Sequence, residues 1–132
     1  MSLFVDASAL VAIVVNEPER EQFRDSILAE RDALWSAMSC WETVSAVRKA
    51  EGVTIEIARH VVERNAEALG LRLVAIGVLE LTSALDAHQR YGRDSGHPAK
   101  LNFGDCFAYA CAKTNGARLL YKGNDFSRTD LA

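Results

Sequence analysis

The stretch Leu3-Phe4-Val5-Asp6-Ala7-Ser8 constrains this chain more than any other. It reads as a short buried strand that ends in a carboxylate. An apolar helix, Ala9-Leu10-Val11-Ala12-Ile13-Val14-Val15, follows at once. In an open parallel sheet, ligands and reacting groups gather at the carboxyl ends of strands. Asp6 is therefore placed where chemistry is done, and Ser8 is placed to cap the helix or to bond that carboxylate.

The rest of the chain repeats the alternation. Asn16 before Glu17-Pro18-Glu19 predicts a capped second helix over about 18–29, with Phe23, Ile27 and Leu28 at helical spacing. Ala33-Leu34-Trp35-Ser36 is a second strand. Ser39-Cys40-Trp41-Glu42 opens a third helix that ends by Gly52. Thr54 caps a fourth helix to about Leu69, with Ala58, Val61, Val62 and Leu69 inward, Arg59, Glu63, Arg64 and Glu67 outward, and Gly70 as its stop. Arg72 to Ile76 is a third strand. Leu79 to Tyr91 is a fifth helix with Leu81, Leu85 and Tyr91 inward and His88 packed near that stripe. A loop carrying Gly92, Arg93, Gly96, His97, Pro98 and Lys100 precedes a sixth helix from Asn102 to about Asn115. Leu119-Leu120-Tyr121 is a fourth strand, and Lys122-Gly123-Asn124-Asp125-Phe126 is the turn at its carboxyl end. Strands alternating with helices at this spacing predict a three-layer α/β/α domain around a parallel sheet of four to five strands, spanning residues 1–132.

Bulk properties exclude several function classes. No apolar run approaches the ~18 residues needed to span a bilayer, and the start lacks the basic region of a signal peptide. The expectation is a cytoplasmic protein with no membrane partner. Cys40, Cys106 and Cys111 form no CxxC pair, and no HExxH or HxxxH pattern exists, which argues against a zinc site. Phosphate-binding glycine motifs are also absent. The net charge is −3, from 15 basic and 18 acidic residues. A protein held to nucleic acid by phosphate contacts alone would usually be basic, so a nuclease here would keep its acids for a metal and rely on a local basic rim. Arg90, Arg93, Lys100 and Lys122 are the candidates for that rim, and a solvated charged surface explains them equally well.

Four acids fall along one edge of such a sheet. Asp6 and Asp125 follow strands, while Glu42 and Asp105 open helices. Taken singly, three of the four have a structural explanation. Ser39 and Glu42 match a capping box, Asn102 and Asp105 resemble another, and Asp125 fits a turn. Together they form an anionic cluster. Two carboxylates about 4 Å apart repel by about 4 kcal/mol at an effective dielectric near ~20. Four of them call for a cation or raised pKa values. Oxygen-only ligands select a hard ion, Mg²⁺ or Mn²⁺. Such an ion supports hydrolysis of a phosphodiester.

The segments Val5-Asp6-Ala7-Ser8-Ala9-Leu10, then Glu42, then Leu101-Asn102-Phe103-Gly104-Asp105-Cys106-Phe107-Ala108-Tyr109-Ala110, then Leu119-Leu120-Tyr121-Lys122-Gly123-Asn124-Asp125-Phe126 resemble the PIN-domain ribonucleases. The type most resembled is the VapC toxin of bacterial VapBC toxin–antitoxin pairs. The resemblance implies Asp6 and Asp105 as the main Mg²⁺ ligands. It makes Glu42 the residue that completes the site and positions or deprotonates the water, Asp125 the fourth acid, and Ser8 a hydrogen-bonding member of the cluster. It also implies an RNA substrate such as tRNA or ribosomal RNA, a homodimer, and a VapB-like antitoxin whose tail covers the acidic groove, with an arginine. Two departures stand out. Gly123 occupies the place where many members carry an acid or Asn, and only six residues follow Phe126, which leaves little room for the family's short final strand. Two other functions fit the bare residues: a PIN-like nuclease of RNA processing that is not a toxin, and a non-catalytic α/β interaction module whose acids are caps.

Overall fold

In the computed structural model, which describes residues 2–132, four strands and six helices alternate along the chain. β1 (Ser2–Val5) leads into α1 (Ala7–Val14) and α2 (Arg20–Leu28). β2 (Asp32–Ser36) leads into α3 (Ala37–Glu51) and α4 (Ile55–Ala68). β3 (Leu71–Val74) leads into α5 (Val78–Tyr91) and α6 (Phe103–Thr114), and β4 (Arg118–Leu120) follows. All pairings are parallel, in the order β3-β2-β1-β4. This is the expected α/β/α arrangement, with four strands among the described residues.

The inner strands β1 and β2 are buried on both faces because their side chains alternate between two cores. Leu3 and Val5 of β1, with Ala33 and Trp35 of β2, pack against α1 to α4. Phe4 and Leu34, one position out of phase, pack with Val74 and Leu119 against α5 and α6. The strand order gives the sheet a switch point. The chain moves outward from β1 to β2 and β3, then returns to place β4 on the other side of β1. The crevice outside the carboxyl ends of β1 and β4 is where a doubly wound sheet receives its ligand.

Local signals explain most helix ends. The Thr54 hydroxyl accepts the Ile57 N–H at 3.2 Å, and Gly70 turns the chain out of α4 with φ 69°. Elsewhere the structure corrects the sequence reading. Asn16 does not cap α2; it takes a left-handed turn (φ 64°), and α2 begins later, after Glu19, without a side-chain cap. Leu28, Val61, Leu81 and Leu85 are exposed rather than inward, and so is His88. In α4 and α5 the small residues Ala58, Ala66, Ala84 and Ala87 take the inward positions instead. Helical spacing selects a stripe, but the exact rotation of the helix follows from how closely its backbone can approach the sheet, and alanine permits the closest approach.

The end of the chain is clamped rather than paired as a fifth strand. Asp130 accepts hydrogen bonds from the Tyr109 and Tyr91 hydroxyls at 2.7 and 3.2 Å and meets the Lys113 ammonium at 2.5 Å. Burial alone would raise the Asp130 pKa, but Lys113 and the two tyrosines outweigh it and hold the carboxyl down at about 2. Among the described residues no helix is long and apolar enough to cross a membrane.

Candidate metal and catalytic site

Asp6 leaves β1 and serves as the N-cap of α1. One carboxylate oxygen, Oδ2, accepts the Ser8 backbone N–H at 3.0 Å and the Ser8 hydroxyl at 2.5 Å. Asp6 is thus the cap itself, and Ser8 supports it. The Ser8 Oγ also accepts the Lys122 backbone N–H at 2.9 Å. One hydroxyl therefore ties the end of β1 to the turn that follows β4 and carries Asp125. Removing it by Ser8→Ala leaves the Lys122 N–H and Asp6 without that partner. The expected cost is about 1–2 kcal/mol in urea unfolding. A roughly 10-fold loss in site performance should accompany it, as for other groups that orient a ligand. Unchanged values of both would remove Ser8 from the site.

Asp105 sits in the first turn of α6 in a complete capping box. The Asp105 N–H donates to Asn102 Oδ1 at 2.9 Å, and the Asn102 N–H donates to Asp105 Oδ2 at 3.0 Å. Glu42 differs from expectation. The capping box of α3 joins Ser36 and Ser39, with the Ser36 N–H donating to Ser39 Oγ at 2.9 Å. Glu42 is therefore one turn further along α3, free of any capping role. Its carboxylate lies against the Cα of Gly104, where a Cβ would stand 2.1 Å from Oε2. Asp125 is exposed in the turn after β4.

The charges of these four acids act on one another. Burial is the largest influence on Asp6 and raises its pKa, with Asp125 adding to the rise and Ser8 opposing it. Burial, then Asp6 and Asp105, push Glu42 up to about 7. Burial, Asp125 and Asp6 push Asp105 up to about 6, against the Asn102 N–H and Arg93. Four side chains separated by up to 119 positions in sequence, from Asp6 to Asp125, thus share one electrostatic neighbourhood at the carboxyl edge of β1 and β4.

Among the described residues no group of three or more His, Cys, Asp or Glu side chains is arranged to hold a metal ion. An open, oxygen-only set suits Mg²⁺, which keeps several waters and is bound through one or two carboxylates plus substrate phosphates. Asp6 and Asp105 each commit Oδ2 to a protein hydrogen bond, and among the described residues Oδ1 takes none.

The basic residues divide. The Lys122 ammonium pairs with Glu17 and, at 3.3 Å, with Glu19, while Arg90 bonds the Tyr91 hydroxyl at 2.8 Å and Asp86 at 3.4 Å. Both are occupied away from the acids. Arg93 is close enough to lower the Asp105 pKa, and Lys100 is exposed on the same loop. The sequence reading overlooked Trp41 and Phe103, which are each 71% exposed beside Glu42 and Asp105. Two apolar grooves, of about 640 and 430 Å³, meet at Phe103. An aromatic directly before a Gly-Asp helix start was the available signal.

Comparison with known proteins agrees with this architecture. The model of the PIN domain matches residues 3–131. A VapC ribonuclease of Rhizobium meliloti is 41% identical, over 97% of this chain and 98% of the relative. Ribonuclease VapC42 of Mycobacterium tuberculosis is 34% identical over 98% of this chain and 96% of its own. Among solved structures, Mycobacterium tuberculosis VapC20, a sarcin–ricin loop cleaving toxin, superposes with a TM-score of 0.77 at 16% identity, covering 98% of this chain and 96% of that one. VapBC2 of Rickettsia felis, bound to a DNA fragment from its promoter, gives 0.75 at 11% identity, covering 99% and 95%. With residues 3–131 matched by the family model and a relative 41% identical over 97% of its length, the chain belongs to the PIN-domain family, among the VapC ribonucleases.

Proposed function

We propose that this PIN domain is a Mg²⁺-dependent endoribonuclease, with Mn²⁺ as a substitute, and the toxin of a VapBC-type toxin–antitoxin pair acting in the cytoplasm. The observation that carries the reading is the near-full-length match to VapC ribonucleases in a fold that sets Asp6 at the end of β1 and Asp105 in the first turn of α6. Asp6 and Asp105 would hold the cation through their uncommitted oxygens, with Glu42 and Asp125 completing the anionic wall. A bound Mg²⁺ neutralises charge on a phosphate oxygen and lowers the pKa of water.

The chain's own groups do the rest. Ser8 and Asn102 fix the two main carboxylates, so that little reorganisation accompanies the reaction. Glu42 orients the attacking water and accepts its proton on a carboxylate oxygen. Arg93 and Lys100 steer the RNA backbone, and the paired state of Lys122 makes it the weakest of the three basic candidates. The substrate class is structured RNA of the tRNA or ribosomal type. A VapB-like antitoxin, with an arginine on its tail, matches the acidic groove in charge. The exposed apolar side chains Trp41, Leu81, Leu85 and Phe103 suit a homodimer.

The test is cleavage mapping of total RNA by the purified chain. Discrete cuts in millimolar Mg²⁺, lost in EDTA and restored by Mn²⁺, are expected. RNA left intact in Mg²⁺, or cut equally in EDTA, overturns the reading. Growth arrest on expression, relieved by the product of an adjacent small reading frame, separates a toxin from a processing nuclease.

A further inference from the structure

Gly104 is the second residue of α6, and nothing in its backbone calls for glycine. It lies within the helix, outside the left-handed region where a side chain is strained. Glycine in a helix is unfavourable compared with alanine, because the unfolded chain has more freedom to lose. The neighbour on its open side supplies the reason. A Cβ at position 104 would stand 2.1 Å from Glu42 Oε2, 2.7 Å from Cδ and 2.9 Å from Oε1. All three atoms of the Glu42 carboxyl group would be inside the contact limit. Gly104 itself is buried, so the added methyl has no solvent to turn into.

We propose that Gly104 is a positioning residue: its missing side chain is the seat that lets the Glu42 carboxylate from α3 reach the same divalent cation as Asp105, its immediate neighbour on α6. This inference rests on the nuclease reading above. Glu42 stands one turn into its helix and has no capping partner, so its own helix does not hold its carboxylate at the sheet edge. It lies instead against the α6 backbone at Gly104. The seat also brings the carboxylate to the first turn of α6, the end of the helix that favours negative charge.

The experiment is Mn²⁺ binding, followed by electron paramagnetic resonance, for the full chain and for Gly104→Ala, Glu42→Ala and the double variant. Melting in EDTA is recorded alongside. Gly104→Ala is expected to weaken Mn²⁺ binding about 10-fold or more, as loss of a ligand-orienting group does, while the melting temperature in EDTA stays near the parent's, because the atoms it displaces are the end of a flexible side chain. Glu42→Ala should weaken binding to a similar degree. In the double variant the new methyl occupies the space the carboxylate left. Its Mn²⁺ affinity should then equal that of Glu42→Ala within about 2-fold, and its melting temperature should equal or exceed it.

Binding by Gly104→Ala within about 2-fold of the parent overturns the inference. So does a further 10-fold loss on adding Gly104→Ala to Glu42→Ala, since Gly104 would then act through something else. Should Gly104→Ala alone not fold, the double variant still decides on the same criterion. A parent chain that cuts RNA and binds Mn²⁺, alongside a normal Gly104→Ala, sinks only this inference. A parent that binds no Mn²⁺ sinks the nuclease reading with it.

Discussion

Asp105→Asn is expected to lower Mg²⁺-dependent RNA cleavage by about 10³-fold or more while leaving the fold intact. The substitution keeps nearly the same shape. An asparagine Oδ1 can still accept the Asn102 N–H that Asp105 Oδ2 accepts at 3.0 Å, so the capping box of α6 survives. The negative charge is what disappears. Lewis-acid stabilisation of a phosphoryl oxygen is worth several kcal/mol, and 10³-fold corresponds to about 4 kcal/mol of barrier. The apo protein should not suffer. Burial and the like charges of Asp125 and Asp6 already push the Asp105 carboxyl up to about 6, so a neutral amide relieves repulsion. The expected pair of results is a melting temperature in EDTA equal to or above the parent's, with cleavage at background. Asp6→Asn should behave alike, because an amide oxygen can replace Oδ2 as acceptor for Ser8. Cleavage by Asp105→Asn within about 10-fold of the parent would contradict the assigned site.

The second large effect is a cancelling of the pH dependence of stability by Mg²⁺. In EDTA, Glu42 is held up at about 7 by burial, Asp6 and Asp105, and Asp105 at about 6. Both values lie above those of the unfolded chain, so between about pH 4 and 7 the native state binds more protons than the unfolded state. Stability then falls as pH rises through that window. The full shift of Glu42 would correspond to roughly 3 kcal/mol. Because both side chains are partly exposed, about 1–2 kcal/mol is the realistic fall. Mg²⁺ binds the ionised carboxylates, so its stabilisation should grow over the same window. At about ten times its Kd it contributes about 1.4 kcal/mol, or about 4–7 °C in Tm for a chain of this length. Melting curves at pH 5 and pH 7.5, each with EDTA and with 10 mM Mg²⁺ as a trial concentration of order ten times Kd, make the comparison. A Tm that ignores Mg²⁺ at pH 7.5 would favour the interaction module, in which Asp6 and Asp105 are caps alone. An increment that Asp105→Ala abolishes would exclude it.

Much of the fold was legible because it depends on local patterns. The apolar runs Leu3–Val5 and Ala33–Trp35 read as strands, and the caps at Thr54 and Asn102 are set by bonds across three or four residues. The errors have a common origin. Leu81 and Leu85 follow a helical stripe in sequence, but α5 turns Ala84 and Ala87 to the core, since the smaller residues let it pack closely on α6. The S-x-x-E spacing points to Ser39 as the cap, since Glu42 stands three residues on; the actual cap is Ser36, where β2 ends. A motif fits more than one register, and only the strand's pairing decides which.

The amino-acid order alone determined the α/β alternation and the places of Asp6 at a strand end and Asp105 in a helix's first turn. Those are properties of short windows, governed by side-chain period and capping chemistry. Only the tertiary structure decided that β4 lies beside β1, that Ser8 reaches the Lys122 backbone 114 positions away, and that the Glu42 carboxylate rests on Gly104. Contacts of that range exist only after two cores have closed on the two faces of one sheet, because nothing in a local stretch specifies which distant surface it will meet.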